Sequence, residues 1–383
     1  MSEYFGTPGF VFWPVGNGDS TSIVVTDEIV MQIDLHHMCK SNDEEDACHP
    51  IVDLLYDNLP KRDGKPHLSV LCITHLDKDH CQGFIDLLDR VTIDEIWFTP
   101  RVLDDEDDAL CEDAVAFKEE AIRRVKKAIK DGVHLDAGDR VRILGWADLL
   151  LEDDYEGFPS ELFSVAGSTI STLAGEDVSQ VFRAFVHAPF KDDMDGDRNE
   201  TSIALQVQLK DGDAHCCGLF FGDLNYPVLK KIFEHTADKQ FLEWNVLSTP
   251  HHCSKSAMYW RDTRDSEETL RKDILDALSE VALSPGYIVS SSEKIPARNN
   301  SGDNPPHAKA KARYEEIVPD KFLCTHEHPN EDNPVPIEFK FEDGSLTYDE
   351  PSDDDKSVDR SIAASISILQ SSNTPQSHRV EFG

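Results

Sequence analysis

Leu68-Ser69-Val70-Leu71-Cys72-Ile73-Thr74-His75-Leu76-Asp77-Lys78-Asp79-His80 is the stretch on which the fold turns. Its first half is a short apolar run with no polar alternation. That pattern is expected of a strand buried on both faces, as in a parallel sheet covered by helices. Its second half places four potential metal ligands, His75, Asp77, Asp79 and His80, within six residues of the strand's end. Alternate residues of an extended turn point the same way, so His75 and Asp77 can face one metal ion. Asp79 and His80, at the start of the next element, can face a second. Imidazole and carboxylate together suit Zn²⁺, Mn²⁺ or Fe²⁺. The competing reading, a charged surface loop, accounts poorly for two histidines and two aspartates so placed.

Outward from this stretch, the first third of the chain reads as strands at 10–15, 21–25 and 30–34, a tight turn at Gly16-Asn17-Gly18-Asp19, and a helix at 50–58. A helix is expected at 81–88 and a strand at 95–99. Residues 109–130 form a helix with acidic residues first and basic residues last, which suits its dipole. Residues 101–180 are expected to be a largely helical insertion, with a strand at 141–144. The second half returns to strands at 181–187, 202–209, 216–221 and 245–248, with helices at 227–235, 267–280 and 307–317. Asp343-Gly344 joins a hairpin of 337–341 and 345–348. One domain is expected over 1–350. After Pro351 the composition turns to Ser, Asp, Asn and Gln, and 351–383 reads as a polar, acidic tail.

The 383 residues include 74 acidic and 37 basic ones, a formal net charge of −37. Such a field repels polyanions at long range and argues against tight non-specific duplex binding, which needs basic patches. It leaves nuclease chemistry open, since a divalent centre supplies positive charge locally. Nine cysteines occur without a C-x-x-C pair. No export signal or membrane-length apolar run is visible, so reduced thiols in the cytoplasm are expected.

His75-x-Asp77-x-Asp79-His80-Cys81-Gln82-Gly83 resembles the H-x-H-x-D-H motif of the metallo-β-lactamase superfamily. It is most similar to the H-x-D-x-D-H form of the branch that includes the DNA-internalisation protein ComEC, with Gln82 where Gly is usual. Further segments resemble that branch in order. They are Val15-Gly16-Asn17-Gly18-Asp19, Gln32-Ile33-Asp34, Val186-His187-Ala188-Pro189, the Asn199 to Leu205 segment, Phe221-Gly222-Asp223 and Val246 to Lys255 with Cys253 replacing Gly. Asn299-Asn300 and Pro306-His307 close the series. The resemblance spans about residues 10–350 and implies an α/β fold, a four-layer αββα sandwich. It also implies two divalent ions per chain, Zn or Mn, with Asp223 bridging them.

The candidate ligands are thus His75, Asp77, Asp79, His80, His187, Asp223, His251 and His252. Asp79 and Asp223 are expected to act with the metals in catalysis. Asp223 has a rival reading as a helix cap. One of His251 and His252 is expected to ligate, with a modest preference for His251, and the other to orient substrate or support a ligand. His187 reads equally as a ligand or as a satisfied core histidine. Asn199 and Ser202 are candidates to hold a phosphate oxygen or to cap turns, and Lys255 to neutralise a phosphate or to lie solvated. Asn300 is placed near the substrate by the resemblance. His307 is a candidate proton donor to a leaving group or merely the start of a helix. Asp34 is expected behind a ligand histidine, Asp19 in its turn, and His36 and His37 beside the cleft. The run Asp104 to Asp108 reads as a solvated helix start.

The chemistry expected is hydrolysis by a metal-activated hydroxide, with phosphodiesters of nucleic acid or nucleotides favoured by the resemblance. Soluble relatives of this kind are often partnered with other proteins in bacterial operons, including defence systems. The resemblance thus implies a protein partner, the acidity of the chain suits a partner with a basic surface, and the lack of long apolar segments gives the expectation of no membrane. Two other readings stand beside it: hydrolysis of a small ester, lactone or thioester, and a metal-stabilised interaction subunit with little turnover.

Overall fold

The computed structural model describes residues 3–43, 46–106, 109–263, 266–299 and 304–350. The tail at 351–383, Asn300 and the last two residues of the acidic run at 104–108 lie outside them. In chain order the main strands are β1 (Gly9–Phe12), β2 (Thr21–Val24), β3 (Val30–Ile33), β4 (Lys65–Cys72), β5 (Thr92–Phe98), β6 (Arg140–Gly145), β7 (Phe163–Val165) and β8 (Thr169–Ile170). They continue as β9 (Phe182–Ala188), β10 (Ala204–Asp211), β11 (Ala214–Phe220), β12 (Trp244–Ser248), β13 (Ala282–Ser290), β14 (Phe322–Cys324), β15 (Ile337–Glu342) and β16 (Ser345–Asp349). The helices that cover them are α1 (Ile51–Asn58), α2 (Lys78–Cys81), α3 (Phe84–Arg90), α4 (Glu112–Asp131), α5 (Tyr226–His235), α6 (Lys272–Glu280) and α7 (Ala308–Ile317).

Two large sheets result. The first runs β16-β15-β1-β2-β3-β4-β5-β6-β7 and the second β14-β13-β12-β11-β10-β9-β8. In each, an antiparallel half gives way to a parallel one: β3 to β7 in the first, β11 to β14 in the second. Period-two alternation sorts the side chains. In β1, Phe10 and Phe12 enter the core between the sheets, while Val11 and the following Trp13 face the helices. In β4, Val70 and Cys72 point between the sheets, and Leu71 with the following Ile73 packs under α1, α3 and α4. The outer face of the second sheet, with Leu219, Trp244 and Leu247, is covered by α5, α6 and α7. The layers are therefore helix, sheet, sheet, helix, the αββα order that the sequence resemblance implied.

Segment 101–180 departs from the expectation of a helical insertion. α4 is helical over twenty residues, but β6 and β7 extend the first sheet by parallel pairing, and β8 joins the second. Short runs such as Phe163–Val165 carry too little periodicity to be read as strands without their partners. β13 and β14 are also absent from the sequence reading; in β13 the reason is local. Ser284, Pro285 and Gly286 interrupt its first half, yet Ile288 and Val289 are fully buried between β12 and β14. The helix expected at 267–280 begins only at Lys272, after Thr269–Leu270 pairs with Tyr259–Trp260.

Candidate metal centre

Parallel strands present their C-terminal ends at one edge of the sandwich, where ligand sites form in open α/β sheets. Here β3 leads into Asp34, β4 into Thr74–His80, β11 into Asp223, β12 into His251–His252 and β13 into Ser291. The side chains converge. Asp19, His80, Asp223 and His252 each offer a ligand atom within 4.8 Å of the others, and all four are buried. His80 Nε2 lies 3.3 Å from Asp223 Oδ1, and His252 Nε2 lies 3.6 Å from the same oxygen. Asp79 Oδ2 is 3.3 Å from His252 Nε2. On the other side, His251 Nε2 is 3.5 Å and His75 Nε2 3.9 Å from Asp223 Oδ2, and Asp77 Oδ2 is 3.7 Å from His75 Nε2. The two oxygens of Asp223 thus face two separate groups of donors.

Supporting hydrogen bonds fix which ring nitrogen faces inward. His80 Nδ1 donates to Asp34 Oδ2 at 2.8 Å, and His252 Nδ1 to the Ser291 carbonyl at 3.0 Å. His75 Nδ1 sits 3.3 Å from Ser202 Oγ, which also accepts the Asp223 amide. Asp34 holds the ligand turn itself, accepting from the Thr74 amide and the Thr74 hydroxyl, each at 2.7 Å. With each Nδ1 engaged, the Nε2 lone pairs are left for the interior. The Nε2 atoms of His75, His80 and His252 and Oδ1 of Asp223 are buried and make no hydrogen bond. Orphaned polar atoms are rare in folded proteins and costly, by about 1–3 kcal/mol each. Those of His80, His252 and Asp223 converge on one space, and that of His75 faces the other oxygen of Asp223; all are imidazole or carboxylate and fit divalent cations.

The electrostatics carry the same message. Burial works against charge on His80, but Asp223, Asp34 and Asp79 raise its pKa well above the usual value. Burial likewise opposes charge on His252, which the negative charges of Asp223, Asp19 and Asp79 nevertheless lift to about 9. Asp223 is pushed up by burial and pulled well below the ordinary range by His80, His252 and His251. Burial raises Asp19 to about 6 against the pull of His252 and His80. A pocket with this many carboxylates is stabilised by positive charge, as protons or as metal.

The two histidines share one backbone geometry and differ in burial. His251, His252 and Cys253 all take left-handed φ values, 49°, 50° and 63°. Such conformations are costly for residues with a Cβ, by roughly 1–3 kcal/mol each, and tend to occur where a site demands them. His252 is fully buried and belongs to the four-residue cluster, whereas His251 stands at its rim with its side chain 26% exposed. The sequence preference for His251 over His252 is therefore not reflected in the cluster. Asp77 and Asp79 share the rim, at 32% and 35%, which opens the centre to solvent on one side. Arg198 Nε reaches Asp77 Oδ1 at 2.9 Å.

Other expectations fall elsewhere. His187 is not brought to the cluster: its two ring nitrogens meet Thr236 Oγ1 and the Phe241 carbonyl, and Phe185 packs on its ring. It is a satisfied core histidine. Ser202 lies behind His75 as a support. Asn199 turns the chain there, its carbonyl accepting the Ser202 amide. Lys255 pairs with Glu268, so its charge is matched away from the centre. His307 caps α7 and braces the histidine turn, donating its amide to the Cys253 carbonyl and accepting the Lys255 amide at Nδ1. Asp19, expected in its turn, also enters the cluster. Nothing local in the sequence marks Arg198 or Ser291.

No family model and no curated protein matches the sequence. Among solved structures the chain is similar to the Rm3 metallo-β-lactamase, at 12% identity and TM-score 0.35 over 66% of this chain and 78% of that one. It is also similar to BJP-1, a subclass B3 metallo-β-lactamase of Bradyrhizobium japonicum, at 13% identity and TM-score 0.30 over 73% and 93%. A third likeness is to an archaeal metallo-β-lactamase superfamily protein from Sulfolobus tokodaii, at 12% identity and TM-score 0.29 over 81% and 96%.

Proposed function

We propose that this chain is a metal-dependent hydrolase of the ComEC-like branch, acting on phosphodiesters of nucleic acid or nucleotides with two divalent ions, Zn or Mn. The observation that carries the reading is Asp223, whose two oxygens each face a separate histidine and aspartate group. His75, Asp77 and His251 would hold one ion with Asp223 Oδ2. Asp79, His80, His252 and Asp19 would hold the other with Oδ1. When bound, such a pair acidifies water and neutralises charge on non-bridging phosphate oxygens. The protein's own part is orientation. Asp34, Ser202 and Ser291 aim three imidazoles, and Arg198 holds Asp77 at the open rim. Four carboxylates among the donors make the site oxygen-rich, which favours a harder ion such as Mn²⁺ over an all-histidine arrangement.

The test is metal content by elemental mass spectrometry on protein purified without chelator, beside hydrolysis of bis-p-nitrophenyl phosphate and of a carboxylic ester. About two ions per chain and turnover of the phosphodiester are expected. Asp79→Ala with His80→Ala is expected to lose both while remaining folded. Full metal content in that variant, or turnover of the ester alone, sinks the proposal.

A further inference from the structure

Two thiols beside the metal centre have no place in that chemistry. Cys81 ends α2, directly after His80; it is fully buried, with Sγ 3.3 Å from the Asp77 carbonyl. Cys111 is the residue that caps the twenty-residue α4. Their sulfurs are 4.0 Å apart. Among the eight described cysteines, Cys111 alone is not buried. A hydrogen bond from Cys81 brings the Cys111 thiol down to about 6, against its partial burial and aided by the Ala114 and Asp113 amides of the helix start. Thiolate character and access are what make a cysteine reactive, and an adjacent second thiol turns oxidation into a reversible disulfide.

We propose that Cys111 and Cys81 form a peroxide-reactive pair whose disulfide displaces the ligand turn and weakens metal binding. The effect on metal rests on the reading of His80 as a ligand; the thiol chemistry does not. The Cys111 thiolate attacks one oxygen of hydrogen peroxide and the O–O bond breaks. The released hydroxide takes a proton from solvent, which leaves a sulfenic acid on Cys111 and one water. The Cys81 sulfur then attacks the Cys111 sulfur. The S–O bond breaks, and the hydroxyl leaves as a second water with the Cys81 proton. In sum, two thiols lose two electrons and peroxide is reduced to two waters.

Closing the bond brings the sulfurs from 4.0 Å to about 2.05 Å. α4 is anchored in the core by Ala114, Phe117 and Ala121, all fully buried, whereas α2 has only four residues. The movement therefore falls on α2 and with it on His80, whose Nε2 lies 3.3 Å from Asp223. Metal ligand distances tolerate only about 0.2 Å.

The experiment treats the full, reduced, Mn²⁺- or Zn²⁺-loaded chain with hydrogen peroxide, alkylates free thiols, and maps peptides without reduction. The expected result is one cross-link, Cys81 to Cys111. Metal retention against a fixed chelator is expected to fall about tenfold, the scale seen when support of a ligand is lost, and both changes should reverse with dithiothreitol. Cys111→Ser should show neither change. Sulfinic acid on Cys111 without a cross-link, or unreacted thiols, overturns the pair. A cross-link with undiminished metal retention overturns the coupling. If the reduced protein holds no metal, the metal reading fails by itself, and the cross-link still decides the thiol pair by mass alone.

Discussion

Gly18 shows how little room the centre leaves. A Cβ there would come within 2.1 Å of His36 Nδ1 and 2.7 Å of the Asp79 carbonyl, the same carbonyl that accepts the Asp19 amide. The turn carrying Asp19 is thereby pressed against the turn carrying Asp79. Gly18→Ala must push them apart, at about 1–3 kcal/mol by the usual cost of overpacking. A lowered melting temperature and a reduced metal content are expected together; unchanged metal content would mean that Asp19 is not part of the site. Gly83 plays a related role at the start of α3. It has φ of 99°, and an added Cβ would lie 2.5 Å from His37 Cβ. Cys253, at φ 63°, occupies a left-handed position where glycine would be free of strain, and glycine is the residue usual there in the resembling motif.

At the scale of elements, the β15–β16 hairpin carries a pH-dependent weakness. Glu338 is half-buried between β1 and β16, and burial raises its carboxyl to about 7, only partly offset by Lys340. A raised carboxyl pKa means that the folded state holds its proton more tightly than the unfolded chain. The stability it contributes is complete below the ordinary value of 4.5 and is lost as pH rises through about 7. Glu338→Gln should therefore leave stability near pH 4 little changed and raise it near pH 8 by on the order of 2 kcal/mol. Denaturant melts at both values check this, and parallel profiles for the two proteins would refute it. Elements also mark the reach of sequence reading. β1 to β6, β9 to β12 and the β15–β16 hairpin were legible because apolar or alternating segments are bounded by turn signals. β7, β8 and β14 span only two or three residues and exist through pairing alone.

For the whole molecule, the net charge of −37 opposes the approach of an anionic substrate to a centre that would attract it only at close range. Salt screens the long-range repulsion more than the short-range attraction. The value of kcat/KM on an oligonucleotide should accordingly rise from low to physiological ionic strength, the reverse of a basic nuclease. A fall would point to a locally basic docking surface or to a partner that supplies one. Among the described residues no helix is long and apolar enough to cross a membrane. By itself, the sequence marked the candidate ligand cluster after β4 and the later aspartate and histidine segments, and its resemblance to a known family implied the sandwich class. The candidate residues are local signals, carried by residue type and spacing within a few positions. Tertiary structure alone decided that His187 is occupied elsewhere, that His252 rather than His251 lies in the buried cluster, and that Asp19 joins it. It also brought Arg198 to Asp77 and Cys111 to Cys81. Each of those outcomes depends on contacts between distant parts of the chain, or on a φ value that tertiary packing imposes, and neither is written in any short run of residues.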